Sequence, residues 1–158
     1  NKPCTDLTPH GRFSATGLGR TGSVNPLWAE IEQGHQGGRN LAAWMAMLPD
    51  PSPGGKVKIV DDVGSWVLMQ KTSPDQTKYP STTWLWGTIK GERRPVTVTF
   101  DYPAQNACGK VLYATYHTRE HNESGLFPVY CPKTKLIAQE QVLEYLIFEI
   151  SSCIGPIG

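Results

Sequence analysis

The sequence predicts an α/β domain with a mixed sheet, a long C-terminal helix and an extended N-terminal arm, on three observations. Apolar residues recur at helical spacing over 136–150, with Leu143, Leu146, Ile147 and Ile150 on one side. Several short segments rich in β-branched and aromatic residues are bounded by Gly, Pro or charged turns, as strands are. Sixteen glycines and thirteen prolines among 158 residues point to short elements joined by loops rather than to a helical bundle. A chain of this length buries roughly two thirds of its unfolded surface. That suffices for a single α/β domain over 24–158 behind an arm over 1–23.

The arm is polar, Gly-rich and without periodicity. Its Gly17-Leu18-Gly19-Arg20-Thr21-Gly22 spells G-x-G-x-x-G, but no apolar strand precedes it, so it reads as arm rather than phosphate loop. Asn25-Pro26 has the form of a helix start, with Asn capping and Pro at the first helical position. Leu27, Trp28 and Ile31 then make a short apolar helix face, ended by Gly34, Gly37 and Gly38. A second helix is predicted over 39–48, where Leu41, Trp44, Met45 and Leu48 fall at i, i+3, i+4 and i+7. Pro49, Pro51 and Pro53 stop it. Strands are predicted over 56–61, 66–70, 83–89, 96–100 and 110–117, followed by the final helix. Val111 and Tyr113 are expected to meet that helix. Glu140 and Glu144 are expected to face solvent, because two unpaired carboxylates are too costly to bury together.

Composition excludes two classes of partner. Fifteen basic and fourteen acidic residues, with no block of like charges, leave no basic footprint for nucleic acid. The longest apolar run is broken by Gln139, Glu140, Gln141, Glu144 and Glu149, so no transmembrane segment is predicted. Four cysteines, none in a C-x-x-C pair, lack zinc-ribbon spacing and read as two disulfides. Of three connectivities, the strand-then-helix return favours Cys108 with Cys153, leaving Cys4 to tie the arm to Cys131. The alternative is four buried free thiols in a reducing compartment. Disulfides imply an extracellular or cell-surface location. With no charged-then-apolar leader, Asn1 is expected to mark a processed or trimmed end.

The run Cys108-Gly109-Lys110-Val111-Leu112-Tyr113 is followed by Tyr116-His117, by Phe127-Pro128 with Cys131, and by Gln139-Glu140 with Leu143-Glu144-Tyr145-Leu146-Ile147-Phe148 and Cys153. Together these resemble an uncharacterised domain of secreted bacterial proteins, similar to the C-terminal part of the class I glutamine-amidotransferase-like, flavodoxin-related fold. The resemblance covers about 50 residues well and implies extra strands before the final strand and helix. It departs at Ile137-Ala138, where the pattern has a Thr/Ser-Pro helix start. In the amidotransferases a His with a nearby Glu serves a Cys nucleophile. His117 and Glu120 hold a similar place with two residues between them rather than one, and the cysteines fit disulfides better than an activated thiolate.

His117-Thr118-Arg119-Glu120-His121 also spells H-x-x-E-H, in which a helix sets two His on one face around a zinc-bound water. Here His117 ends a strand and Asn122-Glu123-Ser124-Gly125 leads into a loop, so the supporting helix is missing. No metal or other cofactor is therefore expected, and His117, Glu120 and His121 define only an alternative metal-dependent hydrolase, to which His35 or Glu123 could add a ligand. Asn122-Glu123-Ser124 is also a glycosylation sequon on that loop. Trp84-Leu85-Trp86 offers a different chemistry. With Tyr79 and Trp66 nearby, Trp84 and Trp86 either fill the core or, if Leu85 takes the core face, turn outward as flat surfaces for sugar rings or protein hot spots.

The reading that follows is an extracellular interaction or assembly domain without catalytic activity, a surface, adhesion or filament subunit. It would bind a protein partner, or itself, through the arm and sheet edges. A carbohydrate-binding module using Trp84 and Trp86 is the other alternative.

Overall fold

The computed structural model describes residues 26–49, 53–60, 69–72, 75–104, 109–116 and 135–152. The arm, the four cysteines, the H-x-x-E-H segment, the sequon and Trp66 lie outside the described residues.

The first element corrects the sequence reading. Leu27–Ile31 is a strand, β1, and not a helix. Leu27, Ala29 and Ile31 are buried while Trp28 and Glu30 point out, a period of two that a helical reading of Leu27, Trp28 and Ile31 splits across both faces. Pro26 fits there because a proline is tolerated at the start of a strand as well as of a helix. The helix α1 then spans Gln36–Ala46 and begins three residues before the predicted start. His35 is its N-cap, with Nδ1 accepting the Gly38 N–H at 3.1 Å. Leu41 and Met45 are buried and Trp44 and Leu48 pack beside them, as their spacing predicts.

A single 3-10 turn at Pro53–Gly55 leads into β2, Lys56–Ile59, where Val57 and Ile59 go inward and Lys56 and Lys58 outward. β3 is Ser81–Ile89 and β4 is Glu92–Tyr102. The two-residue hairpin between them has both central residues at positive φ, Lys90 at 52° and Gly91 at 76°. That is the mirror-image turn whose twist matches the flanking strands. β5 is Gly109–Ala114 and the last helix, α2, is Ala138–Ser152. The order is β2-β1-β3-β4-β5, and every described pairing is antiparallel where a mixed sheet was expected.

The β3–β4 register slips at Trp84 and is restored beyond Val96: Thr83 faces Val98, Leu85 faces Thr97, and Trp86 faces Pro95. These paired bulges exchange the faces of the strands and divide the interior in two. The larger core sits between the sheet and both helices and holds Leu27, Ile31, Leu85, Ile89, Val96 and Leu146 among others. On the opposite face Met69, Val98 and Phe100 form a smaller core with Val111 and Tyr113.

The final helix keeps its predicted place in sequence but turns a different side inward. Gln139, Val142 and Leu146 are fully buried, Leu143 partly, and Ile147 is 61% exposed. Leu112 and Ala114, rather than Val111 and Tyr113, share its core. The phase is set by a polar residue: Gln139 Oε1 accepts the Val60 N–H at 2.7 Å just beyond β2, so this amide faces the sheet. Glu140 takes up the missing cap, its carboxylate accepting the Ile137 N–H at 2.8 Å as the second half of a capping box. Glu144 is exposed, as expected.

Leu146→Ala should cost about 2–5 kcal/mol in a denaturant titration, because the residue is fully enclosed. Gln139→Leu should cost about 1–3 kcal/mol by stranding the Val60 N–H. A loss below about 1 kcal/mol for Leu146→Ala would place the helix outside the cooperative core.

Candidate functional site

The three aromatic residues singled out from sequence are separated by the fold. Trp84, at the bulge, is only 6% exposed and belongs to the core. Its indole N–H donates to Thr99 Oγ1 at 2.8 Å. His35 meets the ring edge-on, at 5.0 Å between centroids and 88° between planes. Trp84 therefore cannot share a surface platform with Trp86, and the paired reading is corrected. The reason is the register slip, which places Trp84 and Leu85 inside together. Trp86 lies on the other face, half-buried, and its N–H donates to Glu32 Oε2 at 2.6 Å. The Arg93 guanidinium lies 4.3 Å from its ring centre. Tyr79 sits apart on the turn before β3, with the Lys78 ammonium 5.1 Å from its ring centre.

Between these elements the β1–α1 turn forms a shallow depression of about 370 Å3, lined by Glu32, His35, Ser81, Thr82, Thr83 and Trp86. Its composition suggests chemistry, but its hydrogen bonds do not. Besides capping α1 through Nδ1, His35 places Nε2 2.9 Å from the Thr83 carbonyl oxygen. Because Nδ1 accepts from Gly38, Nε2 is the nitrogen that carries the proton to donate. Neither ring nitrogen is left to serve Ser81 or Thr82 as a base. Glu32 is similarly engaged, with Oε1 on the Gly34 N–H at 2.7 Å and Oε2 on Trp86. The Gly34 N–H, and then the Trp86 N–H, hold its carboxyl below the ordinary 4.5 against a small opposing effect of burial.

Two further surfaces carry residues the sequence reading did not assign. The outward face of β2–β1–β3 bears Trp28, 47% exposed, beside its cross-strand partner Lys58, whose ammonium lies 6.0 Å from the indole. Lys56 pairs across from Glu30, and Glu30 forms an ion pair with Arg93 at 3.3 Å. The signal that could have found Trp28 was the alternation of Leu27, Ala29 and Ile31, obscured by the apparent Asn-Pro helix start. On the helical side, Trp44 and Tyr145 lie 5.4 Å apart. With Phe148, Glu144 and Glu149 they line a groove of about 410 Å3. Burial, and then the charge of Glu149, raises the Tyr145 hydroxyl above its ordinary 10.0.

Among the described residues no three His, Cys, Asp or Glu side chains gather as a metal cluster, and no helix is long and apolar enough to cross a membrane. Comparison with known protein families, with curated proteins and with solved structures finds no match.

A carboxyl whose folded value is depressed contributes its full stabilisation above its unfolded value, and the contribution disappears as pH falls through the folded one. Glu32→Gln should therefore destabilise the chain at neutral pH, with the difference from wild type closing below pH 4.5. A carboxyl NMR titration of Glu32 with its midpoint at or above 4.5 would show that the two N–H donors do not hold the charge. Gly38→Ala should destabilise by about 1–3 kcal/mol or more. An alanine within a helix ordinarily gains about 0.5–1 kcal/mol over glycine. Here its Cβ would lie 1.6 Å from the Glu32 carbonyl oxygen. A neutral or stabilising result in thermal unfolding would mean that the turn yields freely.

Proposed function

We propose that this chain is a non-catalytic assembly and interaction domain that works through the open face of β2–β1–β3. The observation that carries the reading is Trp28, a large aromatic left 47% exposed in mid-strand with Lys58 beside its ring. Contact hot spots are enriched in Trp, and an indole exposed on a strand is the kind of anchor they are built on. The sequence expectation placed the contact at sheet edges. β2 argues for the face instead, since a four-residue strand with lysines at positions 56 and 58 is the kind of edge that resists strand addition. The arm over 1–23 is proposed as a second contact, and the extracellular, disulfide-linked setting follows from the cysteine pattern. Support for a non-catalytic role comes from His35 and Glu32, whose polar atoms are committed to holding the turn.

The test is association of the full chain by sedimentation velocity over a wide concentration range, with Trp28→Ser compared. Reversible association that weakens at least tenfold in the variant, with an unchanged unfolding midpoint, is expected. A tenfold loss corresponds to about 1.4 kcal/mol, more than truncation of most interface residues costs and a lower bound for a hot spot, which costs about 2 kcal/mol or more. A chain that stays monomeric throughout, or association indifferent to Trp28→Ser, overturns the reading. Binding to an oligosaccharide array abolished by Trp28→Ser would favour carbohydrate instead.

A further inference from the structure

We propose that the occupant of the open face is a second copy of this chain, seated by its helical side. In this contact Trp28 of one copy enters the groove between α1 and α2 of the next. The inference rests on the reading of the open face as a contact surface, and names what covers it.

Three observations carry it. The two surfaces lie on opposite sides of the same sheet, because Trp28 and Lys58 alternate with the buried Leu27, Ala29, Val57 and Ile59 that face the helices. They are unlike in charge. The open face carries Lys56 and Lys58 beside the Glu30–Arg93 ion pair, which leaves it positive on balance, and among the described residues no carboxylate lies within ion-pair distance of either lysine. The groove carries Glu144, which is exposed, and Glu149. They also match in apolar content, since one presents an exposed indole and the other an aromatic-walled groove of about 410 Å3. That volume is on the scale of sites that accept small ligands, with room for a single indole. Opposite potentials on such surfaces favour the mixed contact and penalise open face on open face or groove on groove.

A contact between two different surfaces on opposite sides of a subunit is heterologous. Each copy that docks leaves a fresh face and a fresh groove, so the assembly grows as a ring or an open filament rather than stopping at a dimer.

Charge reversal tests this with the full chain. Lys58→Glu and Glu144→Lys both change exposed side chains, and unchanged thermal midpoints confirm that each variant folds. Each variant alone sets like charges against each other and should lose at least tenfold in association by sedimentation velocity. Mixed in equal amounts they should assemble again, because each variant's face then meets an opposite charge in the other's groove. The double variant should also recover. Glu144→Lys associating as wild type, or single variants that remain dissociated on mixing, overturns the second-copy groove. If Trp28→Ser still abolishes association in that case, the open face stands as the contact surface and only its occupant is wrong. If Trp28→Ser is without effect, the functional reading itself fails.

Discussion

The structure depends on the slip of register at Trp84, and the turn between β1 and α1 is built to hold it. One extra residue in β3 drives the Trp84 indole inward beside Leu85, and the compensating slip at Val96 restores the pairing. An indole in that position needs a partner for its N–H and a surface against its ring. Thr99 supplies the first and His35 the second. The ring also explains the glycines that follow, since a Cβ at Gly37 would come within 2.7 Å of it. Gly38 is closed off by the Glu32 carbonyl, so two adjacent glycines let the first turn of the helix lie directly on the sheet.

Strand faces follow from the same slip. Beyond the bulge Thr97 and Thr99 look toward the helices, Thr97 donating to the Tyr116 hydroxyl within the larger core. Val98 and Phe100 look away, and these apolar side chains must be covered, which Met69 does together with Val111 and Tyr113. On the hairpin side of the bulge the equivalent outward positions are Trp86 and Thr88, beside Trp28 and Glu30 of the neighbouring strand. One outward face is thus divided into a covered half and an open half. Tyr116, buried in the larger core, has its hydroxyl pushed up to about 12 by the loss of water around it. A raised value of this kind adds stability that is complete below pH 10 and is lost as pH climbs through the folded value.

How much of this was legible depends on whether a residue's local pattern and its tertiary role agree. Leu41, Trp44, Met45 and Leu48 declare α1 by spacing, and Thr83 to Ile89 and Val96 to Phe100 declare strands by composition, because in each the pattern and the packing point the same way. β1 was misread because Asn25-Pro26 fits the start of a strand as well as that of a helix, and five residues hold too few periods to decide. Trp84 could not be read, since a bulge defeats the alternation from which facing is inferred. Gln139 looked like an interruption of an apolar run, although its bond to Val60 makes it the residue that phases the helix. His35 was considered as a metal ligand, yet its role is to cap a helix and brace an indole, and neither is visible without Thr83 and Gly38 beside it in space.

The lysines of β2 serve two ends that would otherwise conflict. A sheet whose outer strand is short and exposed invites addition of a neighbouring strand, and lysine side chains along it disfavour that approach by desolvation and by like-charge repulsion. The same ammonium groups lie on the face that carries Trp28, where in the proposed contact they would draw carboxylates toward an aromatic anchor. Edge addition tends to be weakly specified in register, whereas an indole in a groove flanked by opposite charge fixes orientation as well as affinity. In the proposed contact, the feature that suppresses unspecific sheet growth therefore also selects the face-to-groove geometry, and growth proceeds through side chains rather than through exposed backbone.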